Sequence, residues 1–231
     1  RGRPGKLRRT GGIRDPGHPA ARRARRVAAA WSRDRYEKSP DLSYVPWFNI
    51  FRFLLFFFGR TLIFFLSSRF FGGGFLGSAI CRQLLARGDE VIAFQRSAAD
   101  ELEKLGARVV RGDITDAELL VTASRDADAI IHTAAKAGLS VNYDDYFGPN
   151  VTGTGNVLSA CRQNGIGKLV FTSSPSVTHS DGDIEGGDES LPYPDSYNSP
   201  YPATKAQAEK QVMAANCNEL HTVSLRPHLI W

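Results

Sequence analysis

The sequence predicts an α/β fold built on a doubly wound parallel sheet, and three observations predict it. Short apolar runs rich in β-branched and aromatic residues recur through the last two thirds of the chain; segments of helical length separate them; and a glycine cluster opens the first helix. The runs Glu90–Phe94, Ala107–Val110, Ala129–Thr133, Lys168–Thr172 and Thr222–Leu225 have the continuous apolar character of strands buried on both faces. Helices are expected over Leu76–Arg87, Ala98–Leu105, Ala117–Ser124, Tyr146–Asn164 and Pro200–Ala215. Strand–helix alternation of this kind is what a parallel sheet covered on both faces requires. The first helix has Gly88 just beyond its end. The last has Asn198 or Ser199 to cap it, Pro200 in its first turn, and Asn216 or Asn218 to stop it.

Ahead of this domain, expected over residues 72–231, the composition changes twice. Residues 1–70 hold 16 Lys/Arg against 4 Asp/Glu, whereas residues 71–231 hold 13 against 20. The basic pI therefore belongs to the leader, and nucleic-acid binding does not follow from it. Residues 1–44, dense in Arg, Gly, Pro and Ala, lack apolar periodicity and read as a disordered basic leader. Residues 45–71 are rich in Phe and Leu. The window Trp47–Leu66 has the roughly 20 residues of a membrane span, yet Arg52 and Arg60 lie inside it. Each Arg would cost about 2.5–3.5 kcal/mol near mid-bilayer. An interfacial anchor is the alternative. So is a translated polypyrimidine-rich intron, which would make residues 1–71 partly or wholly a gene-model artefact. Three scattered cysteines, Cys81, Cys161 and Cys217, suggest neither a disulfide framework nor a zinc site, and a cytoplasmic, reducing compartment follows, with membrane association through 45–71. His132, His179, His221 and His228 show no metal-ligand spacing, so no metal is expected.

Two groups of residues carry chemistry. Gly72-Gly73-Gly74-Phe75-Leu76-Gly77 opens the first helix, where glycines admit a pyrophosphate to the backbone and unpaired N–H groups face it. After the next strand, Arg96 and Ser97 stand where an NAD-preferring domain tends to place an acid. They suit a 2′-phosphate, which favours NADP(H) over NAD(H). Tyr201 and Lys205, four residues apart on a predicted helix, share a face one turn apart. A lysine there favours the phenolate of a tyrosine that exchanges a proton with a carbonyl oxygen. A serine at the end of the Lys168–Thr172 strand would hold the substrate oxygen.

These motifs resemble the extended short-chain dehydrogenase/reductases, in the epimerase/dehydratase superfamily of Rossmann-like domains. Gly74-Phe75-Leu76-Gly77 matches the second half of that family's Thr-Gly-x-x-Gly-Phe-Leu-Gly, while Phe70 and Phe71 replace its Thr and first Gly. The resemblance implies that Asp113 and Ile114 meet adenine, that Ala134, Ala135 and Lys136 line the cofactor, and that Asn150 braces the active-site helix. It also implies that the chain passes the nicotinamide at Pro227, and that Ser174, with Ser173 or Ser176 as fallback, completes a triad with Tyr201 and Lys205. Both members of the Tyr/Lys pair would also contact cofactor. Ala134–Gly138, Thr172–His179 and Leu225–Trp231 resemble the 3β-hydroxysteroid dehydrogenase-like branch, and within it the 2-alkyl-3-oxoalkanoate reductases. The implied activity is interconversion of a secondary alcohol and a ketone on a hydrophobic small molecule, in steroid or lipid metabolism. The family is often homodimeric, and its substrate lobe would follow Trp231, so the domain is expected to be truncated before it. A nucleotide-sugar epimerase or dehydratase, and an inactive fragment, are the alternatives.

Overall fold

Apolar runs too short for helices and flanked by polar turns pair edge to edge, and here they do so in parallel. The computed structural model describes residues 61–65 and 73–228, apart from 139, 180–183 and 185. Six strands, β1 (Thr61–Phe65), β2 (Glu90–Gln95), β3 (Arg108–Arg111), β4 (Ala129–His132), β5 (Lys168–Thr172) and β6 (His221–Leu225), form one sheet. Their order is β3-β2-β1-β4-β5-β6, and every pairing is parallel. This is the doubly wound order in which succession reverses at the β1/β4 boundary, leaving a crevice at the carboxyl ends of the strands.

Five helices connect the strands: α1 (Gly73–Arg87), α2 (Asp100–Lys104), α3 (Ala117–Ala123), α4 (Gly153–Asn164) and α5 (Pro200–Ala214). All five match the expected helices in order, and the five expected strands match β2 to β6. The sixth strand is the difference. Thr61–Phe65 falls within the segment read as an anchor, yet it lies at the centre of the sheet, with Ile63 opposite Ile92 on one side and Ile130 on the other. This strand thus joins the sheet from ahead of residue 72. The expectations for residues 1–44, and for the rest of 45–71, lie outside the described residues. Among the described residues no helix is long and apolar enough to cross a membrane.

Local signals explain the helix ends. Asp116 accepts the Leu119 amide and caps α3. Gly88, at φ +90°, takes the left-handed turn that ends α1. Ser199 precedes α5 as expected, but its side chain makes no capping bond; Pro200 sets the first turn. Asn216 follows the last turn of α5, its amide donating to the Met213 carbonyl, and its side chain accepts the Thr222 amide, tying the helix exit to β6. The expected helix Tyr146–Asn164 is broken in its first part: a turn at Asp144–Tyr146 and a π-helical stretch at Phe147–Thr152 precede α4. Pro149 lies inside that stretch and has no N–H to offer the carbonyl four residues back, so a regular α-turn loses a bond there.

The core is packed between the sheet and its helices, with Phe94, Leu120, Ile130, Val157, Phe171 and Val212 almost wholly buried. Gly153 sets one of its closest approaches, since a Cβ there would lie 2.6 Å from Cγ2 of buried Ile114. Gly153→Ala is expected to destabilise the fold by about 1–3 kcal/mol, the usual range for overpacking. A urea titration should show a lower midpoint with an unchanged m-value. An unchanged midpoint would mean that Ile114 yields freely.

Candidate active site

Because every strand runs the same way, the residues that follow them collect at one edge of the sheet. Arg96 and Ser97 follow β2, Asp113 and Ile114 follow β3, Ala134 to Lys136 follow β4, Ser174 follows β5, and Pro227 follows β6. Sites of doubly wound sheets lie at this carboxyl edge.

On the β1–β3 side, α1 starts at Gly73, with Gly74 half-buried and Gly77 buried in its first turns. Leu76 is half-buried there. Gly72 and the side chain of Phe75 lie outside the described residues. Arg96 and Asp113 are brought together by the β2/β3 pairing, their charged groups 3.8 Å apart and both half-exposed. Partial burial would raise the Asp113 carboxyl, but the Thr115 amide and hydroxyl bonds, 2.9 and 2.7 Å, with the Arg96 charge, hold it below the usual value. Gln95 donates to the Ser97 carbonyl and shapes this corner. Ile114 turns into the core against Gly153, so only its backbone is suited to meet a base. Next to β4, the Asn150 side chain clasps Lys136: it accepts from the Lys136 amide at 2.6 Å and donates to the Lys136 carbonyl at 3.1 Å. A glycine-led helix start, an acid–base pair at the β2/β3 corner and the small residues Ala134 and Ala135 after β4 fit a dinucleotide laid along this edge.

The proton-handling groups lie on α5 and at the end of β5. Tyr201 faces Ser174, and its ring meets that of Tyr146 edge-on at 6.4 Å. Burial raises the Tyr201 phenol above its ordinary value, and the Ser174 hydroxyl opposes this in part. Lys205 sits one turn later, 2 % exposed. Its ammonium donates to the Thr172 carbonyl at 2.7 Å and lies 4.0 Å above the Phe171 ring. A buried ammonium needs an acceptor, and the β5 carbonyl is the one within reach. Burial pushes this lysine down to about 7, with Glu209 opposing. Ser173, one of the fallback serines, is buried and bonded through its backbone to Leu225; Ser176 contacts Ser174.

Of the other participants, Thr204 and Glu209 were not singled out from sequence. Thr204, between Tyr201 and Lys205, receives the Asn150 side chain at 3.0 Å, so the π-helical stretch and α5 are locked together. His132 bonds Thr154 at 2.9 Å, and full burial pushes its imidazole down to about 3, so it is neutral. Glu209, 1 % exposed, receives two donors from Arg226, the shorter at 2.5 Å, and the Tyr193 hydroxyl at 2.7 Å. The signal for Glu209 was present: it continues the four-residue spacing from Tyr201 through Lys205.

Comparison with known proteins agrees with this geometry. The model of the 3-beta hydroxysteroid dehydrogenase/isomerase family matches residues 71–231. A 2-alkyl-3-oxoalkanoate reductase of Stenotrophomonas maltophilia is 51% identical over 162 residues, covering 69% of this chain and 49% of that protein. A 3 beta-hydroxysteroid dehydrogenase/Delta 5→4-isomerase of Mycobacterium tuberculosis is 40% identical over 169 residues, covering 69% and 45%. Among solved structures, a UDP-glucose 4-epimerase of Thermus thermophilus in complex with NAD superposes with a TM-score of 0.61 at 32% identity, covering 72% of this chain and 54% of that one. The chain thus spans about half the length of the curated relatives it matches.

Proposed function

Since the chain belongs to the 3-beta hydroxysteroid dehydrogenase/isomerase family, we propose that it belongs to an NAD(P)-dependent oxidoreductase that interconverts a secondary alcohol and a ketone on a hydrophobic substrate. The observation that carries this reading is the meeting of Ser174 and Tyr201 at the end of β5, on the edge where the dinucleotide fits. Bound there, a nicotinamide supplies or accepts the hydride. Gly74 and Gly77 would sit under its phosphates, Asp113 and the Ile114 backbone at its adenine, Ala134 to Lys136 along its length, and Pro227 beside the nicotinamide.

The chain's own residues then handle the proton. With its phenol raised, Tyr201 holds its proton at neutral pH and can deliver it to a carbonyl oxygen as negative charge develops there. Ser174 faces the phenol and holds it in place for that transfer. Lys205 braces the strand end through Thr172, and Asn150 fixes α5 through Thr204. The names of the relatives support an apolar 3-oxo or 3-hydroxy substrate.

Arg96 supports NADP(H) over NAD(H): its ion pair with Asp113 is half-exposed and hence weak, which leaves the guanidinium suited to a 2′-phosphate. Fluorescence titration of the purified chain should show micromolar binding, tighter for NADPH than for NADH. Arg96→Ala should erase the difference by weakening NADPH about tenfold, the scale of one charge-assisted contact. Equal affinities in the unaltered chain would refute the preference, and binding of neither would refute the enzyme reading. The likeness to a sugar-nucleotide epimerase supports a second reading. It predicts turnover of a UDP-hexose without net consumption of NAD(P)H, whereas ketone reduction consumes it mole for mole.

A further inference from the structure

The Ser174 hydroxyl has one proton to give, and the first turn after β5 arranges three neighbours around it. Pro175 to Thr178 form a single 3-10 turn whose start is set by the extended Ser174 and by Pro175. That turn folds Ser176 back on Ser174. The Ser176 amide donates to Ser174 Oγ at 3.3 Å, and the two hydroxyl oxygens lie 2.8 Å apart. On the other side Ser174 meets Tyr201. An oxygen that already accepts the Ser176 amide, and takes the Ser176 hydroxyl proton as well, has its own proton left for the phenol oxygen.

We propose that Ser176 is a positioning residue for the reaction: its hydroxyl donates to Ser174 and so directs the Ser174 proton at Tyr201. The proposal rests on the roles of Ser174 and Tyr201 given above. The chain of hydroxyls Ser176–Ser174–Tyr201 is directional when Tyr201 has lost its proton. Each donor then polarises the next, and a hydrogen bond to a charged oxygen is the strong kind. When Tyr201 regains the proton the chain can reverse, with the phenol donating to Ser174 and Ser174 to Ser176. Neither Ser174 state then lacks a partner. Ser176 thus acts on the substrate only through Ser174.

The test reads Tyr201 itself, without requiring turnover. The whole chain is labelled with 13Cζ-tyrosine, the Tyr201 resonance is assigned by its loss in Tyr201→Phe, and its ionisation is followed by NMR against pH. Tyr146, whose ring packs on Tyr201, and Lys205, one turn further along the same helix, are unchanged in every variant. Ser176→Ala should move the Tyr201 midpoint upward, so that at fixed pH the phenolate fraction falls about threefold, the scale of one weakened charge-assisted bond. Ser176→Thr should restore it. Ser176→Cys, nearly the same size but a weak donor, should behave as the alanine variant and replaces it if alanine does not fold. An unmoved midpoint in the alanine or cysteine variant, or a shift that threonine does not reverse, overturns the proposal. If the midpoint moves but the chain reduces no ketone, the proposed function fails and the Ser176 role stands. If the chain turns over and the midpoint does not move, only the Ser176 role fails.

Discussion

Tyr201→Phe is expected to cut ketone reduction about 10²–10⁴-fold, the contribution typical of a positioned general acid, while leaving NADPH binding almost unchanged. Phenylalanine keeps the ring that packs on Tyr146 and loses only the oxygen facing Ser174. Fold and cofactor edge should therefore survive, and stopped-flow assays with saturating NADPH should place the loss in kcat. The pH dependence follows from the direction of the Tyr201 shift. Burial raises the phenol, so it remains protonated through neutrality. Reduction should hold a plateau at neutral pH and decline as pH rises through the Tyr201 value; oxidation of the alcohol, which needs the phenolate, should rise over the same interval. A phenylalanine variant within threefold of the unaltered chain would remove Tyr201 from the chemistry.

Arg226→Met is expected to be the most damaging single change to the fold, costing about 3–5 kcal/mol at pH 7, because it strips a buried carboxylate of its countercharge. Glu209 is almost wholly enclosed, and Arg226 provides most of its donors. Burial alone would raise the Glu209 carboxyl; the Arg226 bonds, helped by Tyr193, overcome that and lower it. In the unaltered chain Glu209 thus contributes stability that is present above its unfolded value, about 4.3, and is lost as pH falls through the folded value. Without Arg226 the sign reverses. The folded carboxyl lies above the unfolded one, and the variant loses stability as pH rises between the two. Urea unfolding at pH 5 and pH 7 should show a smaller gap between the two proteins at the lower pH. A gap that does not change would place the loss in packing of the Arg226 stem, not in charge.

Much of this was legible in the sequence, for identifiable reasons. The buried strands β2 to β6 are compact apolar runs between turn residues, and the Tyr201/Lys205 pair follows from helical spacing alone. What escaped depended on tertiary partners. Thr61–Phe65 is apolar without a period and sits in a longer Phe-rich tract, so nothing local separates a central strand from an anchor; seven residues also divide it from the start of α1. The bond from Lys205 to the Thr172 carbonyl, 33 residues away, is one that no helical spacing reveals. Glu209 becomes a paired, buried charge only because Arg226 and Tyr193, from separate segments, close around it.

The π-helical stretch at Phe147–Thr152 has a consequence for how this gene can change. A wide turn holds one residue more than an α-turn, so everything before it is rotated by about 100° relative to an unbroken helix. Asn150 lies within that stretch, clasping Lys136 and Thr204, while Val157 and Leu158 beyond it keep their faces to the core. Loss of one codon here would turn Asn150 away from both partners and leave Pro149 in a regular turn to which it donates no bond. The extra residue of the wide turn is thus what sets one side chain against both the β4 exit and α5.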